Sequence, residues 1–230
     1  LPKFPTARGA GATASITFDG GTLRPLAAST TYMGGLTSAK IKAGGATLDV
    51  GSGTDITITQ SLLTDGVSLG GGLTKTGDGM LTLSGTNTYT GVTTVSNGTL
   101  RVNGLLSSSA VTVAAGGALS GTGTISNSVA LSGTVSPGAS VGTLNTGGQT
   151  WNGGATNRFE LSSAVNSVGM DLLNITGTLD VQATSGNQFT VKLVSMSNAT
   201  TPGLVPDFSG YTRYTWVIAT ASGGILNFDA

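Results

Sequence analysis

A block of short alternating runs, from Gly71 to Gly104, indicates the fold class of this chain. Three runs in it alternate, at least in part, bulky apolar residues with polar ones, at 80–83, 92–95 and 99–102, and Gly, Asn or Ser bounds each run. Period-two alternation between turn residues is typical of β-strands. Because runs this short cannot bury one face alone, they need copies stacked above and below, as in a solenoid.

A recurring Gly-small-Leu element is the second sign of a solenoid. The leucines at 23 and 48 are 25 residues apart, those at 100 and 119 are 19 apart, and those at 119 and 144 are 25 apart. These intervals suit one turn of a parallel β-helix with loops of varying length. The glycine before each inward leucine suits a corner that needs a positive φ or a close backbone approach.

Other segments support an all-β chain. Strands are predicted at 15–18, 55–59, 110–113 and 123–125, and longer ones at 157–161, 172–175, 179–181 and 189–194. The nearest helical candidate, 32–42, contains Gly34 and Gly35, which disfavour a stable helix. No segment has convincing helical periodicity.

Composition excludes several classes of protein. The chain has 230 residues, with 38 Gly and 6 Pro but no period of three, so it is not collagen-like. Ten Lys and Arg balance ten Asp and Glu, which argues against intrinsic disorder and gives no electrostatic footprint for nucleic acid or anionic lipid. No apolar run approaches the length of a membrane helix. We therefore expect one elongated domain without a nucleic-acid partner and without membrane insertion of this segment.

Five short motifs carry a family resemblance: GLTKTG at 72–77, LTLSG at 81–85, NTYTG at 87–91, TTV at 93–95 and GTLRV at 98–102. They resemble the autotransporter-associated β-strand repeat, found in passenger domains of bacterial autotransporters and other very large secreted bacterial proteins. Asp78, Met80 and Val92 depart from the usual pattern. The resemblance implies a right-handed parallel β-helix outside the cell, and it brings no catalytic residues with it.

Three regions are predicted along the chain. Residues 1–14 form an extended N-terminal arm, residues 15–155 form β-helix rungs around the repeat core at 71–104, and residues 156–230 form the final rungs and a C-terminal cap. Aromatic residues gather in the last region, and they predict a cap over the final rung, with a carbohydrate-binding platform as the alternative: Phe208, Tyr211, Tyr214, Trp216 and Phe228.

No catalytic, cofactor-binding or metal-binding residues are predicted. The chain has no Cys and no His, so it offers no disulfide, no thiol nucleophile and no Cys/His zinc site. The acidic repeat motif of calcium-binding β-rolls is missing. Asp49 and Arg101 are expected to form at most a weak surface pair. The acids are scattered rather than paired across a groove: Asp19, Asp49, Asp55, Asp65, Asp78, Glu160, Asp171, Asp180, Asp207 and Asp229.

These observations predict a non-enzymatic structural or adhesive protein outside a bacterial cell, serving surface architecture, adhesion or biofilm. Two alternatives stay open within that class. One is a fibre whose subunits join end to end or through the N-terminal arm, and the other is a monomeric stalk joined to the remainder of a larger surface protein. A carbohydrate-binding or polysaccharide-processing β-helix is the third alternative, with glycans as its partner.

Overall fold

The computed structural model describes residues 13–165 and 169–228, and these form 24 β-strands without an α-helix. The predicted arm at 1–14 lies outside the described residues except for Thr13 and Ala14. In the described ranges, no helix is long and apolar enough to span a membrane.

The strands form three faces that the chain visits in turn. The first face combines a three-stranded and a six-stranded sheet. Its strands are β1 (Ser15–Phe18), β4 (Ser38–Ile41), β7 (Leu62–Thr64), β10 (Thr86–Asn87), β12 (Leu105–Leu106), β14 (Thr124–Ile125), β17 (Thr143–Thr146), β20 (Leu172–Ile175) and β23 (Ala219–Ala221).

The second and third faces belong to one 15-stranded sheet, because two long strands bend across the corner between them. The second face contains β2 (Thr22–Leu23), β5 (Ala46–Asp49), β8 (Leu73–Thr76), the beginnings of β11 (Thr93–Val102) and β13 (Val111–Gly121), β15 (Val129–Leu131), β18 (Gln149–Asn152), β21 (Leu179–Gln182) and β24 (Ile225–Leu226). The third face contains β3 (Ser29–Met33), β6 (Ile56–Ile58), β9 (Met80–Leu83), the ends of β11 and β13, β16 (Thr134–Pro137), β19 (Thr156–Leu161) and β22 (Thr190–Ser195).

One passage through the three faces is called a rung here. The described residues form eight rungs and two strands of a ninth, and neighbouring rungs pair in parallel on every face. Every second side chain of a strand points inward, and the inward side chains of successive rungs stack in columns. One such column on the second face contains Leu48, Val95, Val113 and Leu131. This arrangement confirms the predicted all-β parallel β-helix.

The recurring Gly-small-Leu element marks inward positions on all three faces. Leu100 pairs with Leu119 on the third face, as predicted for one rung. The prediction that Leu119 and Leu144 are one rung apart is wrong. Leu119 pairs with Val135 on the third face, whereas Leu144 lies on the first face. A glycine corner followed by an inward leucine can open a strand at any of the three corners, so the motif does not identify the face.

Gly98 shows why the corner between the second and third faces needs glycine. Its φ is +65°, and a Cβ built there would lie 2.4 Å from the carbonyl oxygen of Gly77 on the rung below. The expectation of positive φ or tight backbone approach is therefore confirmed at this corner.

An aromatic cluster lies near the C-terminus, as predicted. Tyr214 stacks between Phe208 and Trp216, with ring centroids 5.4 and 5.8 Å away. The stack packs on the side of the solenoid against a small second core, formed by Leu161, Ala164, Met170 and Val205. It does not cover the whole end, because the side chains of Val191 and Leu193 on β22 are 46% and 49% exposed.

Candidate functional site

Most acidic side chains accept a hydrogen bond from a main-chain amide or form an ion pair with a single Lys or Arg. Asp55 accepts a hydrogen bond from the amide of Met80 on the next rung (2.7 Å), and Lys40 lies 3.6 Å from Asp65. Asp229 is outside the described residues. Across 13–165 and 169–228, no group of three or more acidic, Cys or His residues could hold a metal ion.

The expected pair between Asp49 and Arg101 is wrong. The Arg24 Nε donates to Asp49 at 2.7 Å instead. The register explains this choice: Leu23 pairs with Leu48, so the next residues along the two strands, Arg24 and Asp49, are neighbours. Arg101 lies on the third face and points away from Asp49's strand.

Glu160 and Asp171 are the one acidic pair that the described residues bring together in a buried place. Asp171 is fully buried and accepts hydrogen bonds from the amides of Glu160 and Gly142, both at 2.8 Å. Burial raises the pKa of Asp171 to about 7. The Glu160 carboxylate accepts from Arg158 at 2.6 Å. Because both oxygens of Asp171 bind the main chain, this residue fixes the corner between β19 and β20 instead of facing a groove.

Lys75 is a buried cation on the inner side of the second face. Its side chain has no exposed surface, and its ammonium group donates to the carbonyl oxygens of Thr76 (2.7 Å), Gly77 (2.6 Å) and Asn97 (3.1 Å). The first two carbonyls belong to its own rung and the third belongs to the next. Lys75 therefore ties two rungs together at the corner where a continuous backbone ladder is interrupted.

The surroundings of Lys75 also set its protonation. Burial lowers the pKa of Lys75 to about 8, although the carboxylates of Asp49, Asp78 and Asp55 oppose this shift. At neutral pH the lysine is therefore charged, and its three hydrogen bonds are charge-assisted.

A second buried polar group lies at the corner between the first and second faces. The Tyr89 hydroxyl lies 2.6 Å from Thr93 Oγ1, which is 2.7 Å from Ser109 Oγ, and Ser109 donates to the carbonyl of Gly91. Burial raises the pKa of Tyr89 well above its ordinary value. Asn87 lies nearby on the first face, where its side chain accepts from the Leu62 amide at 3.0 Å.

Four of these buried residues, Lys75, Asn87, Tyr89 and Thr93, fall within one continuous block of the chain, whereas Ser109, Glu160 and Asp171 lie beyond it. Residues 73–102 match the family model of the passenger-associated-transport-repeat. The resemblance predicted from the motifs is thereby confirmed. The repeat runs from β8 to the end of β11, so it contains more than one rung and includes its own stacking contacts, such as Leu73 with Thr93 and Met80 with Thr99. A comparison with curated proteins finds no match.

A polar groove runs along the outer surface of the third face. Two hollows of about 790 and 280 Å³ lie on this face, and Arg101 lines both. Thr82 and Ser120 point outward yet are only 7% exposed, which shows that the surface is recessed. We call this surface the third-face groove; one outward column of residues follows its floor: Thr57, Thr82, Arg101, Ser120, Ser136 and Arg158.

Sequence reasoning missed the buried roles of Lys75, Thr93, Ser109 and Asp171. The sequence did indicate that Lys75 points inward, because it lies two residues after the inward Leu73 in the same strand. Ser109 and Asp171 lie in loops outside any alternating run, so no pattern in the sequence indicated that they are buried.

Proposed function

We propose that this chain is a structural element of a bacterial surface or secreted protein, a stiff β-solenoid stalk that supports adhesion. The observation that carries the proposal is the passenger-type repeat built into an unbroken stack of parallel rungs. Passenger-associated transport repeats occur in autotransporter passengers, which are surface-exposed or secreted.

The architecture suits such a role. Each rung contacts mainly its neighbours, so the stack can form by propagation from one end after an unfolded chain has crossed a membrane. Nine rungs spaced about 4.8 Å apart span roughly 40 Å without requiring a cofactor or a large charge.

Labelling of intact bacteria with an antibody against the purified chain tests this location. The proposal predicts labelling of unbroken cells or recovery of the antigen from the culture medium. Labelling that requires lysis of the cells would contradict it.

Self-assembly into a fibre is the second candidate, and the half-exposed side chains of the last described strands favour it. The inward side chains Val191 and Leu193, together with Ile225 and Leu226 on β24, are each about half exposed. A second copy stacked in the same direction, with its β1–β3 edge on these strands, would cover them and continue the parallel ladders. Electron microscopy of the purified chain distinguishes the two forms: filaments of uniform width support the fibre, and isolated short particles at high concentration support the stalk.

A further inference from the structure

We propose that the third-face groove binds one strand of an acidic polysaccharide, of which one carboxylate or sulfate group pairs with Arg101. The groove is formed by rigid strands and extends over several rungs, so it suits an extended polymer better than a compact metabolite.

Arg101 is the centre of this site because its charge has no ion-pair partner in the described part of the chain. Among the described residues it makes no ion pair, and its Nε is buried without a hydrogen-bond acceptor. A guanidinium group offers a planar fork of donors that matches a carboxylate or sulfate. Because the Nε is enclosed, a bound anion would pair with the terminal nitrogens of the guanidinium group, which are not among the enclosed atoms.

Arg158 lies at the far end of the smaller hollow, where its charge is already paired with Glu160. Its Nη1 donates to Glu160 at 2.6 Å and to Ser136 at 3.3 Å, so the side chain is held in place. Three strand steps, from β11 through β13 and β16 to β19, separate the two arginines, which is about 14 Å at the usual strand spacing. A ligand that extends from Arg101 to Arg158 therefore crosses four neighbouring strands.

Hydroxyl groups fill the floor of the groove between the charges. Ser120 lies between Arg101 and Ser136, and its Oγ is buried without a partner. The Ser120 Oγ is therefore out of reach of a ligand, but the part-exposed hydroxyls of Thr57 and Ser136 both donate and accept, so they match the hydroxyls of a sugar chain. Thr57 and Thr82 continue the same polar floor toward the other end.

The same features disfavour a nucleic acid. A nucleic acid carries a phosphate at every nucleotide and needs a dense row of cations. Single strands also use aromatic side chains on which the bases stack. Only two cations and no aromatic residue line the hollows in the described part of the chain, and one of these cations, Arg158, is already paired with Glu160.

Binding of polygalacturonate, a linear uronic-acid polymer, by the purified chain tests the proposal. The probe should bind, and its fully methyl-esterified form should bind at least tenfold more weakly because it lacks the carboxylates. Arg101→Gln should weaken binding about tenfold, the factor expected for one charge-assisted hydrogen bond. Arg213→Gln, which removes the same charge from a surface loop, should leave binding unchanged. Thr57→Glu provides a second test, since it adds a repelling charge to the groove floor and should weaken binding.

Several results would overturn the proposal. One is that the chain does not bind polygalacturonate at all, and another is that it binds the ester as tightly as the acid. Equal loss of affinity in Arg101→Gln and Arg213→Gln, or tighter binding of single-stranded DNA than of polygalacturonate, would also contradict it. The assay uses soluble protein, so its outcome is independent of where the protein is located and of whether it forms fibres.

Discussion

At the scale of single residues, the buried polar side chains hold the repeat together. The ammonium of Lys75 satisfies three main-chain carbonyls at a corner where strand pairing is interrupted. Buried charges are tolerated only when they are well hydrogen-bonded, and their partners depend on them in turn. The lysine of the repeat therefore acts as a structural cation within the core.

Replacement of Lys75 by methionine tests this role. Lys75→Met keeps the length of the side chain but removes the ammonium donor of three part-buried carbonyls, of which that of Thr76 also accepts from the Val50 amide, so we expect the free energy of unfolding to fall by about 2 kcal/mol or more at pH 7. Lys40→Met is the matched control, because it removes a part-exposed surface ion pair that contributes less than about 1 kcal/mol. Urea unfolding followed by circular dichroism compares them, and equal effects would contradict a structural role for Lys75.

Asp171 predicts a pH dependence of stability. The pKa of Asp171 is about 7 in the folded protein and 3.8 in the unfolded chain. Between these two pH values the folded protein therefore holds a proton that the unfolded chain has released. The free energy of unfolding should therefore fall as the pH rises from about 4 to 7, by on the order of 3 kcal/mol at most. Asp171→Asn should remove this dependence, and a slope that survives in the variant would assign the titration to another group.

At the scale of strands and corners, close contact between rungs decides which residues fit. Gly77 and Gly98 both have positive φ, and a Cβ at either would lie against a carbonyl of the preceding rung, that of Val50 for Gly77 and that of Gly77 for Gly98. A side chain at either position would disturb two rungs at once.

Gly98→Ala should therefore be strongly destabilising. The variant combines an unfavourable φ with a Cβ only 2.4 Å from a backbone oxygen, and we expect a loss of about 2 kcal/mol or more. Gly66→Ala has open space around its Cβ and should change stability by no more than about 0.5 kcal/mol. Midpoints of urea unfolding for the two variants measure the difference, and a neutral Gly98→Ala would show that the corner relaxes.

Strands were predictable from the sequence because alternation reports which side chains point inward. The runs at 80–83 and 172–175 correspond to β9 and β20. Corners were less predictable: 92–95 and 99–102 were expected as two strands, but β11 continues from Thr93 to Val102, with a register shift between Val95 and Asn97. The neighbouring strand β13 bends at the same place. Pairing between β11 and β13 therefore continues through Asn97 and Gly98, which would normally end a strand.

The third-face groove could not be predicted, because its floor is assembled from residues far apart in the chain. Arg101 and Ser136 belong to different strands, and their alignment depends on loop lengths that vary from rung to rung. Likewise, Asp171 reaches the amide of Gly142 only because the two corners stack. The sequence indicates side-chain parity within one strand, but it does not specify the register between strands.

At the scale of the whole molecule, the fibre proposal predicts that association depends on the half-exposed inward side chains of β22. Leu193→Asp places a charge among the half-exposed inward side chains of the last rung, so it should abolish any concentration-dependent assembly seen by light scattering. Val67→Asp is the matched control, since Val67 is 94% exposed in a loop on another part of the surface. Assembly that persists in Leu193→Asp would place the contact elsewhere.

The most direct test of the account concerns the register between rungs. Thr47, Thr74 and Thr94 lie on successive rungs of the second face, where Thr47 pairs with Thr74 and Thr74 pairs with Thr94. The chain has no natural cysteine, so paired substitutions report the register without interference. A disulfide needs Cα atoms about 4.4–6.8 Å apart, which adjacent strands satisfy and strands two rungs apart do not.

We expect Thr47→Cys with Thr74→Cys to form a disulfide under mild oxidation, and Thr47→Cys with Thr94→Cys to remain reduced, as measured by mass spectrometry of the folded protein. The opposite result, or equal crosslinking of both pairs, would contradict the parallel solenoid on which the proposed function rests.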